Sequence, residues 1–210
     1  HEPFDVNKYL EIANQKDVIS FAAGIASFEN LPTQAFEGIE AELLSRQKEL
    51  LVSPVAGFSS LRKVISTYMQ KRSCFCQPSE IMVLSGSQQG IDLITRAFIN
   101  PGDLILIEEP SFFPAIQSFR AAGAKIMAVP MENDGMDMEI LEQLLSRYRP
   151  KFLYTMPAYH NPTGICMSLA KRIRLLELVN KYGIPVLEDD PYGELYFEGK
   201  QLYPLKYMDK

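Results

Sequence analysis

Five short, almost continuously apolar runs divide the second part of the chain: "IMVLSG" (81–86), "DLILIEEP" (103–110), "KIMAVPM" (125–131), "KFLYTMP" (151–157) and "PVLEDD" (185–190). Between them lie "SQQGIDLITRAFI", "FFPAIQSFRAAG", "MDMEILEQLLSRY" and "SLAKRIRLLELVNKYG", whose apolar residues recur at helical spacing. A strand that is apolar on both faces belongs to a sheet covered on both sides, and strands alternating with helices give parallel neighbours. The pattern therefore predicts an α/β fold, a three-layer αβα sandwich around a mainly parallel sheet. Gly123 and Gly183 follow the last periodic residues of two helices, where a left-handed residue closes the helix most easily.

The first eighty residues follow another pattern. "DVISFAAG" (17–24) reads as a strand, and residues 34–50 read as a helix. "SSLRKVISTYMQKR" (59–72) reads as a helix with Leu61, Val64, Ile65 and Tyr68 on one face, and "SPVAG" (53–57) as a loop between the two helices. We expect residues 1–78 to form an N-terminal segment with the first helices, and residues 79–210 to form the ligand-binding large domain. No internal repeat or low-complexity stretch interrupts either part.

Composition narrows the function classes. The chain has 210 residues, 47% of them apolar, and a net charge of −5. Lys and Arg are scattered, so nothing resembles an electrostatic footprint for a phosphate backbone, and DNA is expected as a partner only through a domain absent from this chain. No apolar run is long enough to span a bilayer and no basic leader precedes one, which points to a soluble, cytoplasmic protein without a membrane partner. Three cysteines and two histidines are too few, and too poorly spaced, for a metal site, so no metal is expected. A start at His1 instead of Met suggests a chain cut from something longer.

Ligands of open parallel sheets lie beyond the carboxyl ends of the strands, so the residues after each apolar run are the ones to read for chemistry. "SGSQQG" (85–90) puts a small turn at a helix N-terminus, where free N–H groups and the helix dipole favour an anion such as a phosphate. Ser87 would add a hydroxyl donor; the competing reading is that it only caps the helix. The spacing matches neither the dinucleotide nor the P-loop pattern. Phe112, at a strand-to-helix junction, either covers a flat ligand or belongs to the core. Asn161 in "HNPTG" is either a ligand contact or an ordinary turn residue, and His160 reads as a hydrogen-bonded structural imidazole. "PVLEDD" sends an apolar strand into three acids, and a buried carboxylate needs a cation or several donors. A protonated ring nitrogen at Asp189 would serve, with Tyr192 reaching another edge of the same ring; otherwise these acids end the strand at the surface.

Together these positions describe a ligand with a phosphate, a flat ring, a basic ring nitrogen facing an acid, and an oxygen facing an amide and a phenol. Pyridoxal 5′-phosphate has all four. "SGSQQGIDL", "EEPSFF", "YHNPTG" and "LEDDPYGEL", in this order, resemble the class I/II aminotransferases of pyridoxal-phosphate fold type I, from about Val18 to the end of the chain. The resemblance implies that Gly86, Ser87 and Gln88 cradle the phosphate, and that Phe112 stacks on the ring. It gives Asn161 and Tyr192 the ring oxygen and Asp189 the pyridine nitrogen, and places Gly24 near the substrate carboxylate. It implies a cis Asn161–Pro162 peptide, an amino acid or related amine and a 2-oxo acid as ligands, and a homodimer.

Two positions depart from the family pattern. Val52 stands where relatives commonly have a Tyr that touches a neighbouring subunit's phosphate. The Schiff-base lysine and the arginine for the substrate carboxylate belong after "DDPY", and Lys200, Lys206 and Lys210 do not match that motif, so no catalytic residue is assigned. The expectation is an incomplete large domain that does not transaminate alone. In the family the two strands following "DDPY" are inserted between the strands at 185–189 and 81–85, so two raw sheet edges are expected. "DVISFAAGIAS", "RYRPKFLYTMP" and "EDDPYGELYFEG" look more like GntR/MocR-type transcriptional regulators, which sense an effector with an aminotransferase-like domain; "HNPTG" is the form usual in free-standing aminotransferases. The sequence reading is the regulator, with the enzyme as its alternative.

Overall fold

The computed structural model describes residues 11–13, 15–19, 32–46, 54–196 and 203–209. The chain divides into two compact units, His1–Ser53 and Pro54–Lys210. In the first unit a 3-10 turn, Thr33–Phe36, is followed by α1 (Ile39–Ser45), so the helix expected over 34–50 is described only in this shorter form. Of the strand expected at 17–24, residues 17–19 are described and form no strand, and residues 20–24 lie outside the described residues, as does Val52.

The second unit opens with α2 (Ser59–Lys71), a 3-10 turn at Pro78–Glu80, and α3 (Ser87–Phe98). The remainder runs β1 (Leu104–Glu109), α4 (Phe113–Ala121), β2 (Lys125–Glu132), β3 (Gly135–Met136), α5 (Met138–Arg147), β4 (Leu153–Thr155), α6 (Leu169–Tyr182), β5 (Val186–Glu188) and α7 (Leu205–Met208). The sheet order is β3-β2-β1-β4-β5, parallel throughout except for the short antiparallel β3. β3 escaped the sequence reading because it is two residues long, although the Asp134–Gly135 step at its start is a hairpin signal. The fold is the expected αβα sandwich with a mainly parallel sheet.

Alternation along the strands divides the core into two layers. Leu106 and Leu153 face one cluster with Leu141 and Leu145 of α5 and Leu175 and Leu178 of α6. Ile105, Ile107, Phe152 and Tyr154 face the other, with Ile91 of α3 and Ala115 and Phe119 of α4. The helix boundaries follow local chemistry. Asp137 caps α5 by accepting from the N–H of Glu139 and Ile140, Ser168 caps α6 by accepting from Lys171 N–H, and Gly183 closes α6 with φ 68°.

One expected strand is absent. Residues 81–84 are not part of the ladder: Ile81 is extended at φ −108° and ψ 130°, and Val83 N–H donates to Ala56 C=O, but these residues are not in the sheet order. An apolar run becomes a strand only when a neighbour completes its hydrogen bonds. The outer edge of β5 has no strand beside it among the described residues either. A cavity of about 800 Å³ lies along that edge, lined by β5, by Glu80, by Ile94 of α3, and by Leu176 and Val179 of α6. The two expected edges therefore do not close on each other. Among the described residues no helix is long and apolar enough to cross a membrane.

Candidate cofactor site at the strand ends

The strand order reverses between β1 and β4, since β2 and β3 lie to one side and β5 to the other. At such a switch point the crossover helices leave on opposite faces and open a crevice at the carboxyl ends of the strands. Asp189, one residue beyond β5, is buried with 6% exposure, and its N–H donates to Thr155 C=O at 3.0 Å, extending the β4–β5 ladder. The fully buried Tyr154 of β4 donates its hydroxyl to Asp189 Oδ2 at 2.8 Å. No ion pair to Asp189 occurs among the described residues. Burial pushes the Asp189 carboxyl above the ordinary aspartate range, with the Tyr154 hydroxyl pulling it back and Asp190 adding to the rise. Burial, together with the neighbouring Asp189 charge, raises the Tyr154 phenol strongly, so it stays a donor.

The ends of β1 and β4 are joined by a second buried network. Glu108, with no exposed surface, accepts from Thr155 Oγ1 at 2.7 Å and Met156 N–H at 2.8 Å. His160 Nε2 lies 3.3 Å from Glu108 Oε2, the oxygen that accepts from Met156 N–H, and Nδ1 meets Thr163 Oγ1 at 2.9 Å. His160 is thus the hydrogen-bonded structural imidazole that the sequence suggested. The turn it anchors closes through His160 N–H to Ile165 C=O and Met167 N–H to Pro157 C=O. Asn161 stands on this turn, partly exposed, and the Asn161–Pro162 peptide is cis, as is Glu109–Pro110.

Phe112 and Tyr192 are partly buried and pack on the cluster that contains Tyr154. Phe112 is thereby a partly buried neighbour of the core. Gly86 precedes α3 with φ 84°, a conformation that favours glycine, and a Cβ on it would meet nothing within 4 Å. No side chain caps this helix, because Ser87 is its first helical residue, not its cap. The first N–H groups of α3 consequently face open space. Gln88 departs from its assignment in one respect: its side-chain amide donates to Ser118 Oγ and Pro114 C=O of α4, leaving only its backbone for an anion. No hydrogen bond joins Asn161 or Ser87 to the Asp189 group among the described residues; Asn161 follows β4, the strand that pairs with β5, and Ser87 opens α3.

The other two acids have structural partners. Glu188 accepts from the N–H groups of Leu205 and Lys206, and burial holds its carboxyl above the usual range despite them. Asp190 pairs with Arg72, the residue that follows α2, both largely buried, and Tyr68 of α2 donates to Glu194, so the end of α2 holds the loop that carries Tyr192. Tyr154, Glu108 and Arg72 were not foreseen. A second acid inside "LILIEEP" was the available signal for Glu108; Tyr154 reads as core, and only strand register brings it to Asp189.

The family model for aminotransferase class I and II matches residues 16–209. An aromatic-amino-acid aminotransferase of Thermococcus litoralis is 35% identical over 98% of this chain and 51% of its own length. An uncharacterized HTH-type transcriptional regulator of Bacillus subtilis, YisV, is 30% identical over 92% of this chain and 40% of its own length. Among solved structures, the kynurenine aminotransferase of Pyrococcus horikoshii, in complex with pyridoxamine phosphate, kynurenine and its product, superposes with a TM-score of 0.89 at 33% identity, covering all of this chain and 54% of that one. The chain thus spans about half the length of the relatives it matches. On the match across residues 16–209, this chain belongs to the aminotransferase class I and II family.

Proposed function

We propose that this chain is the cofactor-holding part of a pyridoxal-phosphate-dependent aminotransferase acting between an amino acid and a 2-oxo acid. The observation that carries the reading is Asp189, an acid sunk at the end of a parallel strand beside a phenol donor and without an ion-pair partner among the described residues. A protonated pyridine nitrogen supplies the missing cation. Phe112 covers the ring, Asn161 and Tyr192 hold its oxygen, and Gly86, Ser87 and the backbone of Gln88 take the phosphate at the start of α3. When bound, the cofactor is the electron sink for chemistry at the amino acid Cα. Gly24, outside the described residues, is assigned to the substrate carboxylate by resemblance alone, and a homodimer is proposed on the same ground.

The identity to enzymes, 35% against 30% for the regulator, favours the enzyme over the effector-sensing domain to which the sequence motifs pointed. The regulator remains a second reading because that relative matches 92% of the chain. The chain has ten Tyr and no Trp, so tyrosine fluorescence reports on a ligand beside Tyr192 and Tyr154. Titration with pyridoxal phosphate is expected to quench it saturably, and a linear response without saturation would remove the reading. Amino-group transfer by the protein as its gene encodes it then decides between enzyme and regulator.

A further inference from the structure

We infer that Tyr154 is a positioning residue, whose hydroxyl fixes the Asp189 carboxylate so that one oxygen stays available, and charged, for a cationic ring nitrogen. The inference rests on the proposed cofactor reading and extends it to a residue that does not touch the ligand itself.

Four observations support it. The Tyr154 side chain has no exposed surface, so its hydroxyl must be satisfied within the chain, and Asp189 Oδ2 at 2.8 Å satisfies it. Its ring is wedged edge-on by Phe119, with centroids 5.4 Å apart and planes at 69°, and Phe119 is itself edge-on to Phe152. The ring therefore cannot swing away without repacking α4. The backbone is fixed on both sides, since Tyr154 pairs with Leu187 and Asp189 N–H donates to Thr155 C=O. Finally, no hydrogen bond among the described residues takes Asp189 Oδ1.

A neutral donor is the informative choice. A lysine or arginine at this position would orient the carboxylate equally well but would neutralise it, leaving nothing for a ligand cation. A phenylalanine would leave the carboxylate unheld and its anion less favoured. Tyr154 holds the acid without cancelling its charge. The charged or titratable groups that act on this pair are Asp190, Glu108 and Tyr192, all acidic, so none of them replaces the missing cation.

The test compares the 210-residue chain with its Tyr154→Phe variant, using pyridoxal phosphate labelled with 15N in the ring and 13C detection of the Asp189 carboxyl in the ligand-free protein. In Tyr154→Phe, Asp189 is expected to titrate at higher pH than in the parent. Cofactor binding is expected to weaken about tenfold, as for loss of a hydrogen bond to a charged group. The ring 15N signal should move toward its unprotonated position. Should the variant fail to fold, 3,5-difluorotyrosine at position 154 keeps the shape and strengthens the donor; Asp189 should then titrate at lower pH. An unmoved Asp189 titration in the folded Phe variant, or in the fluorinated protein, overturns the inference, as does an unchanged 15N position in a Phe variant that binds normally. If the parent chain bound no cofactor, the proposed function would fail, while the ligand-free titration would still decide the role of Tyr154.

Discussion

Ionising Asp189 costs the ligand-free fold stability. Its folded carboxyl is raised above the unfolded aspartate value, mainly by burial, so the folded state binds its proton more tightly than the unfolded state does. Stability must then fall as pH rises from about 3.9, the unfolded value, through the raised folded value, and the penalty is complete above it. Asp189→Asn, which still accepts from Tyr154, should be more stable than the parent at neutral pH and equal to it at low pH. Denaturant melts across that range check this; a variant less stable at neutral pH would contradict it. Asp190, unlike Asp189, has an ion-pair partner. Breaking its largely buried pair with Arg72 by Asp190→Ala or Arg72→Ala should destabilise by about 3 kcal/mol, while folded protein keeps its cofactor affinity, measured by urea melts alongside fluorescence titration. Asp189 was legible because three acids end an apolar strand. Which of the three faces a ligand followed from family register, and the partners of Glu188 and Asp190 come from segments 17 to 118 residues away in sequence.

At the level of elements, α2 to α6 were legible to within about two residues because each carries an amphipathic period, whereas α1 is shorter than expected and the four-residue α7 is too short to show a period. The segment 81–84 was misread for the converse reason: strand pairing is non-local, and an apolar run contains no information on whether a neighbour is present. The same absence on the outer side of β5 predicts uneven protection. Amides of β1, which has ladders on both sides, should exchange far more slowly than those of β5, which has one. Hydrogen-exchange NMR checks this, and equal protection would mean that β5 is covered in solution. The start of α3 supports a separate prediction. Since Ser87 does not cap its helix, Ser87→Ala should change stability by less than about 0.5 kcal/mol. It should weaken binding of pyridoxal phosphate several-fold and leave that of phosphate-free pyridoxal unchanged, as read by parallel titrations. A large stability loss would instead restore the capping role.

For the whole molecule, the proposed cofactor site draws on the ends of three strands, β1, β4 and β5, and on the start of α3, about a hundred residues apart in sequence. The fold class was readable from alternation alone, whereas Tyr154 and Glu108, which hold the site together, sit inside runs that read as core. The most direct measurement is fluorescence titration of pyridoxal phosphate into the parent chain, Asp189→Ala and Asp190→Ala under identical conditions. Saturable binding by the parent and by folded Asp190→Ala, with a loss of tenfold or more in Asp189→Ala, is the result predicted by a ring nitrogen paired with Asp189. Equal binding by the parent and Asp189→Ala, or no saturable binding by the parent, would contradict it.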